Sequence, residues 1–416
     1  MTTAIHLAFE PEDAPSADAI AAALEQAGWT PQRAVPGQRA PEQAGALASA
    51  VSEARVVVAL VSAASARSEA MRHEIQAAWN NGKPVIAAVV GDPGADAWLL
   101  GSESVVDLRA EPMERLVEAV GSALKGGAVV AMLNIKGGVG KTVLAANLFA
   151  AAHLIDGRSV SFIDLDPQHN LTQYFLPAGE RNRLRVSGGT IYSALVGEAE
   201  SGKSINEIVT SATPLNRARR RVRARFDLVV GDEQLFEFTL DTRSDAQKAE
   251  AFGRFRQLVA ALRARSDVVV IDANPCATFL TRLAITAATH IVAPVRPETY
   301  SLTGLNMLEH VVRAVRGRPL RSAEFSVLLN GVNDRTRAES GGDPDAMTRA
   351  EISQAPFFGA ALLEEAVPYS GALRSTPADR YAANPINVTA IMRVGGRQVK
   401  EALARSAASI LKRAGP

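Results

Sequence analysis

A single cysteine, Cys276, occurs among the 416 residues. That scarcity excludes an intramolecular disulfide and any multi-cysteine metal cluster, and it agrees with a reducing compartment. Flanked by Pro275 and Ala277, the thiol reads as a packing group rather than a nucleophile. Long apolar runs are equally scarce. None approaches the roughly 18 to 20 residues needed to span a bilayer, and the opening "MTTAIHLAFEPEDAPS" has neither the basic region nor the apolar stretch of a signal peptide. A cytoplasmic location without membrane contact is therefore expected. Excess charge is missing too: 45 Lys and Arg stand against 44 Asp and Glu, a formal net charge of +1. This argues against coating nucleic acid through bulk charge but leaves local basic patches open. No internal repeat of fixed period is visible.

What is present is an ordinary globular balance, 47% hydrophobic and 21% charged, in a chain longer than one core usually supports. Apolar strands at 4–9, 55–62 and 83–90 alternate with helical stretches near 16–28, 41–53, 68–80 and 112–124. After the glycine-bearing "GSALKGG", strands at 128–133, 159–166, 226–232, 266–274, 289–295 and 325–332 repeat the alternation. Strands separated by helices of this length predict parallel sheets covered on both faces. The expected fold class is α/β, with two doubly wound domains at 1–122 and 128–416 joined by a linker at 123–127. Residues 177–189 and 337–346 read as surface loops.

The segment "NIKGGVGKTVLAANL" (134–148) lies between the strand "AVVAML" and an Ala/Leu-rich helical stretch. It departs from the common phosphate-loop spelling G-x-x-x-x-G-K-[ST], because Ile135 stands at the first glycine and a second lysine, Lys136, follows it. Strand, glycine loop and helix N-terminus together turn backbone N–H groups toward an anion. Gly137, Gly138, Val139, Gly140 and Val143 would line the phosphates, Lys141 would reach the β- and γ-phosphates, and Thr142 would hold magnesium.

"KGGVGKT" resembles the deviant phosphate loop of the ParA/MinD superfamily, and the resemblance extends over nearly all of residues 128–416. "FIDLDPQHNLTQYF" is similar to the family's switch segment. "VVVIDANPCATFLTRLAITAATHIVAPVRPETYSLTGL" is similar to its Walker B strand and the Pro-rich turn that follows. "LLNGVNDRTR", with Asn330, resembles the stretch that approaches the base. The resemblance implies ATP and Mg2+ as cofactors and a homodimer formed around ATP, in which Lys136 reaches the partner's nucleotide. Assembly beyond the dimer stays open. It further implies that Asp166 orients the attacking water, while Asp164 and Asp272 help hold the magnesium shell. The family's "DTPP" is replaced here by Asp272, Ala273, Asn274 and Pro275, which keeps the aspartate and alters the γ-phosphate side of that loop.

The first domain resembles TIR domains, which are flavodoxin-like. "IHLAFEPEDA" is similar to their opening strand and acidic turn, "RAVPGQRAPEQ" to their BB loop with Pro36 and Gly37, and "ARVVVALVSAASARSEAMRHEIQAA" to their third strand and following helix. Glu10 replaces the tyrosine after the first strand, and Ala70 and Met71 replace a Trp-Cys pair. By resemblance to enzymatic TIR domains, Glu74 would cleave the nicotinamide bond of NAD. At about 100° per residue, Glu74 falls at the border of a stripe made by Met71, Ile75 and Ala78. Two readings stay open: an ATP-regulated NAD-cleaving enzyme of bacterial defence, and a partition or positioning ATPase whose TIR domain only binds a protein partner. Basic residues at 217–225 and in the last helix (Arg393, Arg397, Lys400, Arg405, Lys412, Arg413) fit either nonspecific DNA binding or a solvated face.

Overall fold

In the computed structural model, the described residues are 4–33, 50, 51, 53–94, 102, 104–215, 224–240, 242–274, 276–298, 301–332, 344–374 and 397–415. Pro36, Gly37, Pro275, Arg393 and most of the basic run 217–225 lie outside them, as do 337–343 of the expected loop at 337–346. The chain forms two compact units, one comprising Met1–Gly126 with Phe252–Ala264 and the other Gly127–Ala251 with Arg265–Pro416.

The first unit is built on a parallel sheet ordered β2-β1-β3-β4-β5. Its strands are β1 (Ala4–Ala8), β2 (Thr30–Arg33), β3 (Val56–Val61), β4 (Val85–Val89) and β5 (Ser104–Asp107). β3 and β4 are buried throughout, as apolar strands covered on both faces must be. The order reverses beside β1, the flavodoxin-like winding. Ile5 and Leu7 pack on one face with Ile20 and Leu24 of α1 (Ala14–Gln26). Ala8, Val57 and Val61 pack on the other with Met71 and Ile75 of α2 (Glu69–Asn80). Each such fully buried aliphatic side chain contributes about 1.5–3 kcal/mol. Helix α3 (Met113–Lys125) adds Leu116 and Val120 and runs into the stretch 123–127. Within this unit the Arg256 side chain is buried, donates to the carbonyls of Trp79 and Lys83, and lies over the Trp79 and Phe252 rings.

The second unit carries a sheet ordered β13-β12-β11-β6-β10-β7-β9-β8. The six expected strands appear as β6 (Ala128–Met132), β7 (Val160–Leu165), β9 (Phe226–Val229), β10 (Val268–Ala273), β11 (His290–Val295) and β12 (Phe325–Val332). Two edge strands join them: parallel β13 (Leu362–Pro368) and the short antiparallel β8 (Thr213–Pro214). Helix α4 (Lys141–Asp156) follows β6 and buries every residue from Leu144 to His153. Residues 178–186, inside the stretch read as a loop, form a helix with no buried residue. No helix among the described residues is long and apolar enough to cross a membrane.

Candidate functional site

Parallel pairing sets the site. β10 lies between β6 and β7, in a register that puts Asp272 level with Met132 on one side and Asp164 on the other. The carboxyl ends of three neighbouring strands therefore bring together the glycine loop after β6, Asp164 and Asp166 around the end of β7, and Asp272 in β10. Ligands of open α/β sheets bind at this end.

The loop is shaped by two left-handed glycines, Gly138 (φ 74°) and Gly140 (φ 93°), in a region that L side chains rarely enter. At Gly140 a Cβ would also lie 2.5 Å from the Asn330 amide nitrogen, which donates to the Val139 carbonyl at 2.8 Å. Asn330 thus braces the loop from β12. Lys141 opens α4 with only 8% of its surface exposed. Its Nζ donates to the Asn134 carbonyl (3.2 Å) and, at 3.5 Å, to that of Lys136. Burial lowers the lysine pKa, opposed by the charges of Asp272 and Asp166. An ammonium held this way lacks a full set of partners and is ready for an anion.

Opposite it stand three buried carboxylates. Asp164 accepts from the Thr172 backbone N–H and hydroxyl, both at 2.7 Å, yet burial pushes it up to about 7. Asp272 is pushed up to about 8, first by burial and then by the charge of Asp164. Neither Asp272 oxygen has a hydrogen bond of good geometry among the described residues, although nearby Thr142 and Lys141 act to lower its pKa. Asp166 accepts from the Gln168 N–H at 2.9 Å and is also raised by burial. Gly231 permits this crowding: a Cβ there would lie 2.9 Å from the Asp164 carboxylate, and its N–H donates to the Thr172 hydroxyl at 2.8 Å.

Hard oxygen donors with an unsatisfied buried carboxylate suit a divalent cation such as Mg2+. No group of three or more His, Cys, Asp or Glu among the described residues forms a metal cage by itself.

A cleft of about 530 Å³ holds these groups together, lined by Gly137, Gly138, Gly140, Lys141, Thr142, Val143, Asp166 and Asn330. Asp164 and Asp272 are buried outside its lining. Sequence reasoning missed Gln168, Tyr174, Arg296, Pro368, Tyr369 and Ser370 on its walls, and Asn134 and Thr172 behind them. Lys136 is apart from the cleft lining and pairs with Glu298 at 2.6 Å. Cys276 is exposed rather than packed, beside Ile135 and Met307 in a shallow apolar hollow.

In the first unit, Glu74 lies within the buried stripe of α2 instead of at its border. Its side chain is 0% exposed, and Oε1 is 2.5 Å from Nε2 of His6 in β1.

The AAA domain family matches residues 127–324, and the TIR domain family matches residues 5–120. The chromosome partitioning protein ParA of Caulobacter vibrioides is 30% identical over 251 residues, covering 56% of this chain and 86% of that protein. The sporulation initiation inhibitor protein Soj of Bacillus subtilis is 30% identical over 190 residues, 46% of this chain and 66% of that one. Among solved structures, a plasmid partition protein of Borrelia burgdorferi bound to AMPPNP aligns with 70% of this chain and 99% of its own, at 18% identity and a TM-score of 0.48. With its deviant phosphate loop set against the strand-end carboxylates, and with this similarity to ParA, the chain belongs to the ParA family of P-loop ATPases and carries a TIR domain before the ATPase fold.

Proposed function

We propose that this chain is an ATP-hydrolysing switch that dimerises around ATP and thereby brings TIR modules together. The domain limits proposed are 1–122 and 128–416, with 123–127 between them. The observation that carries the reading is the opposition of a buried Lys141 to the buried carboxylates of Asp166, which lines the same cleft, and of Asp164 and Asp272 close by. Lys141 and the loop N–H groups of 137–143 bind the β- and γ-phosphates; Thr142, Asp164 and Asp272 hold Mg2+, directly or through water. A Mg2+ ion held there would neutralise charge developing on the phosphate oxygens. Asp166, one of whose oxygens is taken by the Gln168 N–H, orients the attacking water with the other. Lys136 serves the nucleotide of a second copy. The test is molecular size with and without ATP: wild type shifts from monomer to dimer, whereas Lys136→Ala binds ATP and stays monomeric. A normal ATP-dependent dimer in Lys136→Ala would remove the trans role.

The high carboxylate pKa values give the site a pH signature. An acid whose pKa is raised on folding contributes stability that is complete below the ordinary carboxylate range, near pH 4, and is lost as pH rises through the folded value. The nucleotide-free protein should therefore lose stability from about pH 4 upward and level off above pH 8, once both Asp164 (about 7) and Asp272 (about 8) are ionised in the folded state. Binding of Mg·ATP needs the ionised forms and runs the other way. It should release protons and tighten between pH 6 and 8, by at most about tenfold per unit for each proton released. Calorimetry in buffers of different ionisation enthalpy measures that release.

For the TIR module, interaction is the reading supported best, because the Glu74 carboxylate is wholly buried and bonded to His6. A second reading, NAD cleavage in bacterial defence, draws on the same burial, since a desolvated carboxylate suits stabilisation of an oxocarbenium-like transition state. A partition or positioning role would add nonspecific DNA as partner. Arg405 and Lys412 are exposed on the helix Arg397–Ala414, while Arg413 donates to the carbonyl of Ala361.

A further inference from the structure

The Lys136 ammonium already has an anion within its own chain. Its Nζ lies 2.6 Å from Glu298 Oε2, with the two side chains 35% and 46% exposed. An exposed pair of this kind is usually weak, because two long side chains must be ordered to make it. Here both backbones are fixed beforehand. The Lys136 N–H donates to Asn134 Oδ1 at 2.9 Å, and the Asn134 amide donates to the Pro294 carbonyl at 2.7 Å, which ties the loop after β6 to the end of β11. On the other side, the buried Ser301 hydroxyl donates to the carbonyls of Glu298 (2.7 Å) and Arg296 (2.6 Å), and the Ser301 N–H also points to the Glu298 carbonyl. Glu298, its carbonyl held by Ser301 at the start of helix Ser301–Arg316, thus faces Lys136 from a braced backbone.

One ammonium in contact with a carboxylate is not free to serve a phosphate on another subunit. From this geometry we infer that Glu298 is a cis counterion that competes with the partner's nucleotide for Lys136 and so sets the threshold for assembly. The inference rests on the reading that Lys136 acts in trans. A carboxylate carries one negative charge, and a terminal phosphate close to two. The terminal phosphate of a diphosphate is charged alike, so Glu298 raises the threshold for assembly with either nucleotide. Glu298 is a positioning residue in this scheme, since it acts only through Lys136.

The experiment is sedimentation of the full chain with a non-hydrolysable ATP analogue and, separately, with ADP. Glu298→Gln removes the charge and keeps the shape. It should tighten the analogue-bound dimer about two- to thirtyfold, the span expected for releasing two exposed ion pairs, one in each protomer. It should also raise the dimer fraction in ADP, with nucleotide affinity of the monomer unchanged. Glu298→Asp, which retains the charge, should restore behaviour close to wild type, an outcome that loss of a merely structural contact does not predict. A Glu298→Gln dimer equal to or weaker than wild type would overturn the inference, the weaker result placing Glu298 in the assembled interface. Lys136→Ala separates the two ideas. If it dimerises normally, the trans reading itself fails; if it stays monomeric while Glu298→Gln gains nothing, only the counterion proposal fails.

Discussion

Lys141→Ala should weaken ATP binding by a hundredfold or more, on the order of two lost charge-assisted hydrogen bonds at about 1.5–3 kcal/mol each. The size of the effect follows from where the lysine is held. It is buried, its pKa is depressed by desolvation, and its contacts are the loop carbonyls of Asn134 and Lys136. Bound phosphate would add direct acceptors to an ammonium that now feels Asp272 and Asp166 only as nearby charges. The variant also leaves Asp272 and Asp166 facing the phosphates without their nearest cation. Asp166→Ala should separate the two steps. Its carboxylate accepts from the Gln168 N–H and has no hydrogen bond to the glycine loop among the described residues, so ATP affinity should stay near wild type while turnover falls about 10²- to 10⁴-fold, the range of a lost general base. Fluorescent-nucleotide titration and phosphate release measure the two quantities independently. Equal ATP affinity in Lys141→Ala and wild type would refute the assignment of the cleft.

How much of this site was legible before folding depends on distance along the chain. Gly137 to Val143 form one local unit, and their spacing alone places N–H groups, lysine and hydroxyl around an anion. Asp164, Asp166 and Asp272 were legible as strand-end acids, but strand register is what sets Asp272 beside Asp164, whose charge adds to burial in raising the Asp272 pKa. Thr172 was visible only as a letter in the switch segment. Its bond to Asp164 depends on the turn between β7 and the helix Asn170–Phe175. Glu298, Tyr369 and Ser370 approach from strand ends far along the sequence, with no local pattern to mark them.

The fold shows the same division. Buried strands such as β3, β4, β6 and β10 declare themselves as apolar runs. The strands that went unread are marginal: β2 reads "TPQR" with no buried position, and β13 has a mixed pattern of exposure, because an edge strand covers less core. The helix at 178–186 buries nothing and so carries no apolar period to detect. For Glu74, the helical wheel placed the residue near the apolar stripe but said nothing of a partner. His6, 68 residues away, draws the carboxylate fully inside.

That pairing makes Glu74 the source of the other large effect. Glu74→Ala should destabilise the first unit by roughly 2–5 kcal/mol, since it opens a cavity and strands the buried imidazole of His6. His6 Nδ1 already has no hydrogen-bond partner among the described residues, so the ring would lose its contact at Nε2 as well. Glu74→Gln keeps the volume and one hydrogen bond and should cost less; unfolding monitored in urea orders the three proteins. The same variants decide between the two readings of the module. If it only mediates association, Asp166→Ala dimers held with ATP should bring TIR modules to roughly millimolar effective concentration and release no nicotinamide from NAD. Glu74→Gln, folded at the assay temperature, should then assemble as wild type does. If instead Asp166→Ala with ATP releases nicotinamide and folded Glu74→Gln in the same background does not, the interaction reading falls. The buried pair would then have to open for catalysis, with dimerisation as the event that opens it.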